Sequence, residues 1–332
     1  MSMNPSPAMT GHGFNWRTFV GQNDAYLALI VLIVIGGLIS PEFLTTLNLK
    51  NLLSQSAVLG ILAAAQFMVI LIAGFDLSVA AVMALSSVVF AQFAPIGLAP
   101  AAVLAVLSGL GCGAITGAFV TLGRVQPLIA TLAMLGIARG FAFTVSEKSL
   151  LVDSPLVVAM SKSWGIISVP MVIWLVIAAL LSVFLYRSRF GLHCLAIGGR
   201  EQTAALAGVP VQRTKFLVYV AAGGLSALAG IVLVIRTQSG VPHVGNGWEL
   251  ASIAAVVLGG TALFGGEGQL PKAMAGVLIY QTIANLMNQV GLNPYYQDIV
   301  RAIIILAVVG VGIFRVRQSE RRVNRAEIGE TE

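Results

Sequence analysis

Charge is what this sequence has least of. Of its 332 residues only 10% are Asp, Glu, Lys or Arg, against 58% that are hydrophobic. A soluble chain carries about 25% charged residues, and the mean hydropathy here is +0.93. Such a chain cannot cover itself with a polar surface, so a water-soluble globular domain is excluded and lipid must be its main solvent. Cysteine and histidine are scarce too. Cys112 lies in an apolar run and Cys194 in a basic loop, without metal-type spacing, so both read as unpaired thiols that say nothing of the redox compartment. His12, His193 and His243 are dispersed, and no metal site is expected. The strings G-x-x-x-x-G-K-S/T, H-E-x-x-H, C-x-x-C and G-x-S-x-G do not occur. No phosphate-cradling loop and no catalytic residue can therefore be assigned. An enzyme is not expected, and active transport by this chain would need an ion gradient or a partner ATPase.

What is abundant is long apolar sequence. Backbone N–H and C=O groups find no partner in lipid, so apolar runs that cross it must be helical. Ten segments approach the ~20 residues that span a bilayer: 25–39, 52–73, 77–94, 98–122, 127–145, 169–186, 213–235, 249–264, 273–290 and 297–314. The divisions near Asp76 and Pro95 are weak and 249–264 is short, so the expected fold is an all-α polytopic bundle of about ten (8–10) transmembrane helices. The organisation follows as an N-terminal segment 1–24, a membrane domain 25–314 with a polar loop 187–215, and a tail 315–332. The first run ends in Ser40-Pro41-Glu42 with no small-x-small cleavage site and reads as a retained helix rather than a removed signal. With ten spans and cytoplasmic termini, thirteen Lys and Arg residues fall inside, and only Lys50, Lys148, Lys162 and Arg236 fall outside. That is the positive-inside bias, and it assigns the +6 net charge to membrane orientation rather than nucleic-acid binding.

The 36 glycines cluster within spans, as at Gly109, Gly111, Gly113 and Gly117, and at Gly223, Gly224 and Gly230. Small residues let membrane helices approach closely, so a densely packed bundle is expected. Asp76-Leu77-Ser78 and Glu249-Leu250-Ala251-Ser252 each open a small-residue span after a long apolar segment, from opposite sides of the membrane. This is the pattern of an inverted repeat, with chance similarity between apolar segments as the alternative. Asp76, Arg139, Glu249, Asp298 and Arg301 are charges in or beside spans, where ionisable groups line cavities or pair with one another. Arg139 is placed deepest, and neutralisation of Asp76 is one role for it. In the loop 187–215, residues 200–208 read as a short helix, with Glu201 in its first turn and Gly208-Val209-Pro210 as its stop. It suits docking onto something, or packing on its own bundle.

Four ordered stretches resemble the ribose-type family of ABC permeases, which includes permeases for xylose, arabinose, galactose and autoinducer-2. Ala73-Gly74-Phe75-Asp76-Leu77-Ser78-Val79 is similar to the family's G-x-D-L-S-V signature, and Gln126-Pro127-Leu128-Ile129-Ala130-Thr131-Leu132 to its N-P-F-I-x-T-L stretch. Residues 191–230 resemble its coupling region. Residues 249–261, followed by Gly265-Gly266-Glu267-Gly268, match best. Gly74-Phe75, Ala80 and Gln126 depart from the pattern.

The resemblance implies a type II ABC importer-like fold in the bacterial inner membrane, with 25–314 as the permease domain. A second, identical or related permease subunit would complete the path for a small sugar or sugar-like solute. A cytoplasmic ABC ATPase would bind ATP, so this chain needs no cofactor, and a periplasmic or lipoprotein sugar-binding protein would deliver the solute. Membrane lipid would surround the complex. Arg200, Glu201, Gln202, Ala204, Ala205, Leu206 and Gly208 would couple to the ATPase. Asp76, Ser78, Pro127, Thr131, Arg139, Glu249 and Asn285 are the candidates for the translocation path. A secondary transporter or facilitator, which needs no ATPase, is the alternative of a different class.

Overall fold

The structure is a computed structural model describing residues 23–293, 295–307 and 310. Helices α1 (Asp24–Ile39), α2 (Thr46–Leu71), α3 (Val79–Phe93), α4 (Leu98–Thr121) and α5 (Pro127–Val145) precede a short α6 (Pro155–Ser161). Then follow α7 (Val169–Arg187), α8 (Arg189–Gly199), α9 (Glu201–Leu206), α10 (Val211–Thr237), α11 (Trp248–Leu258) and α12 (Leu270–Gln289). A last helical stretch covers 295–307. Among the described residues, strands are limited to two-residue pairings, such as Leu150–Leu151 with Ser239–Gly240. Residues 1–22 of the expected segment 1–24 and the whole tail 315–332 lie outside the described residues.

Among the described residues each of the ten apolar segments holds a helix, but the count of ten spans is not established. Among the described residues, six helices are long and apolar enough to cross a membrane: α2, α3 with its 3-10 extension to Ile96, α4, α5, α7 and α10. One expectation needs correction. The segment 249–264 is not a single span, because α11 stops at Leu258, where Gly259 and the left-handed Gly260 (φ 82°) turn the chain. Its 11 residues rise about 16 Å, roughly half of a ~30 Å hydrocarbon core. Hydropathy runs on past the turn to Phe264, so it conceals the stop.

Central α2 and α10 carry the core, with Phe67, Met68, Val218 and Tyr219 fully covered. On α4, α5 and α7 the outward faces expose Leu107, Phe119, Ile129, Phe141, Leu180 and Val183, as helices facing lipid would. Glycines govern the closest approach. A Cβ on Gly109 would lie 2.4 Å from the Gly223 carbonyl oxygen, and one on Gly223 would lie 2.2 Å from that of Gly109, so α4 and α10 meet backbone to backbone.

The packing has an exchange symmetry. α10 packs on α3 and α4 as α2 packs on α11 and α12; α3 pairs with α4 as α11 pairs with α12; and α2 packs on α10. Swapping α2, α3 and α4 for α10, α11 and α12 leaves these pairings unchanged. The swapped helices run in opposite directions, since the α2–α3 turn and the α10–α11 segment lie at opposite faces. Even the exits correspond: Ala73 after α2 (φ 58°) and Gln238 after α10 (φ 56°) are both left-handed non-glycine residues. These are the features of the expected inverted repeat.

Candidate functional site

Two places combine polar chemistry with open space, one near each face of the bundle. The first grows out of the break in the second repeat. After Gln238 the chain runs as irregular backbone along α3, with Gly240, Pro242 and Gly245 buried. A Cβ on Gly240 would lie 2.5 Å from the Ser87 carbonyl oxygen, and one on Gly245 would lie 2.7 Å from Met83 Cε. Irregular backbone at membrane depth persists only where protein or a water-filled cavity satisfies it. Here the Arg139 guanidinium donates to the carbonyls of Pro242 and Val244, both at 2.8 Å, while Ser87 Oγ accepts from the Val241 N–H at 3.3 Å.

On its other side this segment opens onto a cavity of ≈ 380 Å³. Asn246, Gly247 and Trp248 line it from the start of α11, Gln55 and Leu59 from α2, and Arg236 from the end of α10. Tyr280, Gln281 and Asn288 of α12 face them, with Asp298 and Arg301 of the last stretch closing the wall. Arg301 donates to Asp298 at 3.0 Å and to Gln297, whose amide donates to Asn288 at 2.9 Å. By contrast Gln55, Arg236, Asn246 and Gln281 make no side-chain hydrogen bond to any described residue.

The second place is α8–α9, at the opposite face. Ser188 caps α8, its Oγ accepting from the Gly191 N–H at 3.3 Å. Cys194 and Ile197 are buried against the bundle, and burial pushes the Cys194 thiol up to about 12. At Gly198 a Cβ would meet the Leu71 carbonyl oxygen at 2.0 Å and the Gly266 nitrogen at 2.4 Å. The Gly266 N–H in turn donates to the Leu71 carbonyl at 3.1 Å. So α8 is wedged onto the turn that ends α2 and the loop that follows α11.

Helix α9 stands out from this wedge. Gly208 (φ 81°) stops it, donating to the Ala205 carbonyl while Val209 donates to that of Ala204. Arg200, Glu201, Gln202 and Ala205 border a cleft of ≈ 600 Å³ with Val211 and Gln212. Ala204 turns inward, Glu201 pairs with Lys215 at 2.6 Å, and Leu206 projects with 91% of its surface exposed.

The structure gathers the seven coupling candidates on this element, but it does not gather the seven path candidates. Asp76 is buried in the α2–α3 turn, where its Oδ1 accepts from the Ser78 N–H (2.8 Å) and hydroxyl (2.6 Å); burial raises its pKa against those bonds. The suggested Arg139–Asp76 neutralisation does not form; Arg139 Nη1 donates to the inserted segment instead. Pro127 opens α5 at its first position, and Thr131 is buried one turn on. Glu249 Oε1 accepts from the Gly247 N–H at 3.2 Å, and Asn285 exchanges bonds with Asn48 at 2.8 and 3.0 Å. None of the seven lines the cavity. Its own polar residues were missed, apart from Asp298 and Arg301, which the sequence marks as charges in a span. Gln281 and Asn288, two turns apart on one face of α12, are the signal that points toward it.

Comparison with known proteins decides the family. A profile described as the permease component of the branched-chain amino acid transport system matches residues 48–309. The chain belongs to this permease family. Its relatives include the ribose import permease protein RbsC of Escherichia coli K12, 38% identical over 309 residues, 91% of this chain and 96% of the relative. The L-arabinose transport system permease protein AraH of the same strain is 36% identical over 318 residues, 93% of this chain and 95% of its own. The D-allose transport system permease protein AlsC is 34% identical over 304 residues, 90% and 93%. No solved structure matches the chain. In the permease, the matched span contains α8–α9 and every residue lining the cavity.

Proposed function

We propose that this permease is the membrane-spanning subunit of an ABC importer for a small sugar or sugar-like solute, seated in the bacterial inner membrane. In this reading both termini and α9 face the cytoplasm. A separate ATPase binds the nucleotide, a periplasmic or lipoprotein sugar-binding protein delivers the solute, and a second permease subunit completes the assembly. The observation that carries the reading is α9 itself. A six-residue helix is marginal alone in water, yet this one stands at the membrane boundary with an apolar side chain held into solvent. It is joined through Gly198 to both repeats. A bare Leu on such an element suits a partner's groove, and the cleft beside it offers Arg200 and Gln202 as polar rim. Closure of the partner then moves α8–α9 against the ends of α2 and α11.

Support for the solute class comes from the relatives, whose names specify ribose, L-arabinose and D-allose. The test is co-purification with the ATPase encoded beside the permease. The wild-type chain should retain it, and Leu206→Asp, which places a charge where an apolar contact is expected, should release it without loss of permease from the membrane. Retention of the ATPase by that variant overturns the coupling role. Uptake driven by a gradient without any ATPase would instead support a secondary transporter.

A further inference from the structure

We propose that the ≈ 380 Å³ cavity at the broken helix is a solute site on the translocation path, built for an uncharged, hydroxyl-rich ring the size of one monosaccharide. The proposal rests on the importer reading above and deepens it.

The argument starts from unspent hydrogen-bonding capacity. The lining mixes apolar helix faces with polar side chains, and four of these, the amides of Gln55, Asn246 and Gln281 and the guanidinium of Arg236, enter the space without a hydrogen-bond partner among the described residues. Amides both donate and accept, which matches hydroxyl groups, each of them donor and acceptor. Trp248 and Tyr280 add aromatic surface on different elements, suited to the C–H face of a sugar ring. The one carboxylate, Asp298, is held by Arg301 at 3.0 Å, so it keeps free lone pairs for vicinal hydroxyls without presenting a bare negative charge. The volume sits at the small end of ligand cavities, about 300–1,000 Å³, which disfavours oligosaccharides.

Position is the second argument. Discontinuous helices near mid-membrane place irregular backbone and a helix start beside transported solutes. Here the inserted segment and the first turn of α11 form the wall. α2 also continues the polar face beyond the cavity. Gln66 lies seven residues past Leu59, hence on the same side of the helix. It is fully buried, and both polar atoms of its side chain lack a partner. Thr261, in the loop after α11, is buried with an unpartnered hydroxyl as well. A buried unpaired amide is destabilising in a structural role, so its presence below the cavity fits a route that opens toward the α9 face.

The test uses the whole complex, permease with its ATPase and binding protein, in liposomes. Uptake of labelled ribose, arabinose and allose is read beside ATP hydrolysis. We expect at least one of these sugars to enter. Gln281→Leu and Asn246→Leu should lower its uptake about tenfold while ATP hydrolysis stimulated by the loaded binding protein persists. Gln66→Leu should lower uptake while leaving the melting temperature unchanged or higher, a combination that a merely structural glutamine would not give. In a Gln281→Cys variant, the transported sugar should slow labelling of the introduced thiol, which tests the site even if the leucine variants fold poorly. Unchanged uptake in all three leucine variants, or labelling indifferent to sugar, overturns the site. If the wild-type complex takes up none of the three sugars and its ATPase goes unstimulated, the importer reading itself falls, and the site with it.

Discussion

Arg139 is the residue on which the inserted segment depends most. Its guanidinium takes the place of the water that the Pro242 and Val244 carbonyls would otherwise need. A methionine of similar reach supplies no donor and strands both carbonyls. With hydrogen bonds to charged groups worth roughly 1.5–3 kcal/mol each, Arg139→Met is expected to cost about 3 kcal/mol, read as a lowered melting temperature of the detergent-solubilised permease. Arg139→Lys, with one point-like ammonium, should recover part of the loss. Sequence alone marked this arginine as buried and anomalous but misjudged its partner. Position along the helix gives the reason: Arg139 lies twelve residues beyond Pro127, about 18 Å up α5, whereas Asp76 belongs to the turn at the α9 face. Charge pattern carries no depth for a turn that hydropathy barely resolves.

Helix positions were legible wherever an apolar run was long, because crossing lipid leaves the backbone no alternative. Breaks were not. The stop at Gly259 and Gly260 sits inside a continuous apolar pattern, and the return of 238–247 into the bundle looks like an ordinary polar loop. The cavity inherits this difficulty, since its wall draws on Gln55, Arg236, Trp248 and Gln281, which only the two breaks bring together. The short helix α9 was easier, because Glu201, Gly208 and Pro210 mark its start and stop within one short run. Its joint with the bundle makes a sharp prediction. Any side chain at Gly198 must displace either the α2 turn or the loop after α11. Gly198→Val should therefore preserve binding of the ATPase through α9 yet reduce sugar uptake per ATP hydrolysed several-fold in the reconstituted complex. Uptake and hydrolysis that remain in wild-type proportion would show that force does not pass through this contact.

For the molecule as a whole, the two faces are defined by which turns meet: Leu71, Gly198 and Gly266 at one, and Leu150, Ser161 and Gln238 at the other. This grouping agrees with the basic bias, since Lys50, Lys148, Lys162 and Arg236 collect toward the face away from α9. Sidedness can be read directly. Both native thiols are buried, and Cys194, with its pKa raised to about 12, stays protonated and unreactive at neutral pH. The wild-type chain should thus be silent to a membrane-impermeant maleimide in intact cells and in inverted vesicles. A Leu206→Cys variant should label only in inverted vesicles and a Lys148→Cys variant only in intact cells. The reverse result would invert the orientation and remove α9 from the reach of any cytoplasmic ATPase.

The shape of α9 has one more implication. The site at which the proposed engine would engage is written in a run of consecutive residues, 200–209, that stands clear of the bilayer and shares no wall with the cavity. In that reading drive and cargo are encoded in separate stretches of the chain. A transplant of that decapeptide between relatives should exchange which motor they accept and leave what they carry untouched.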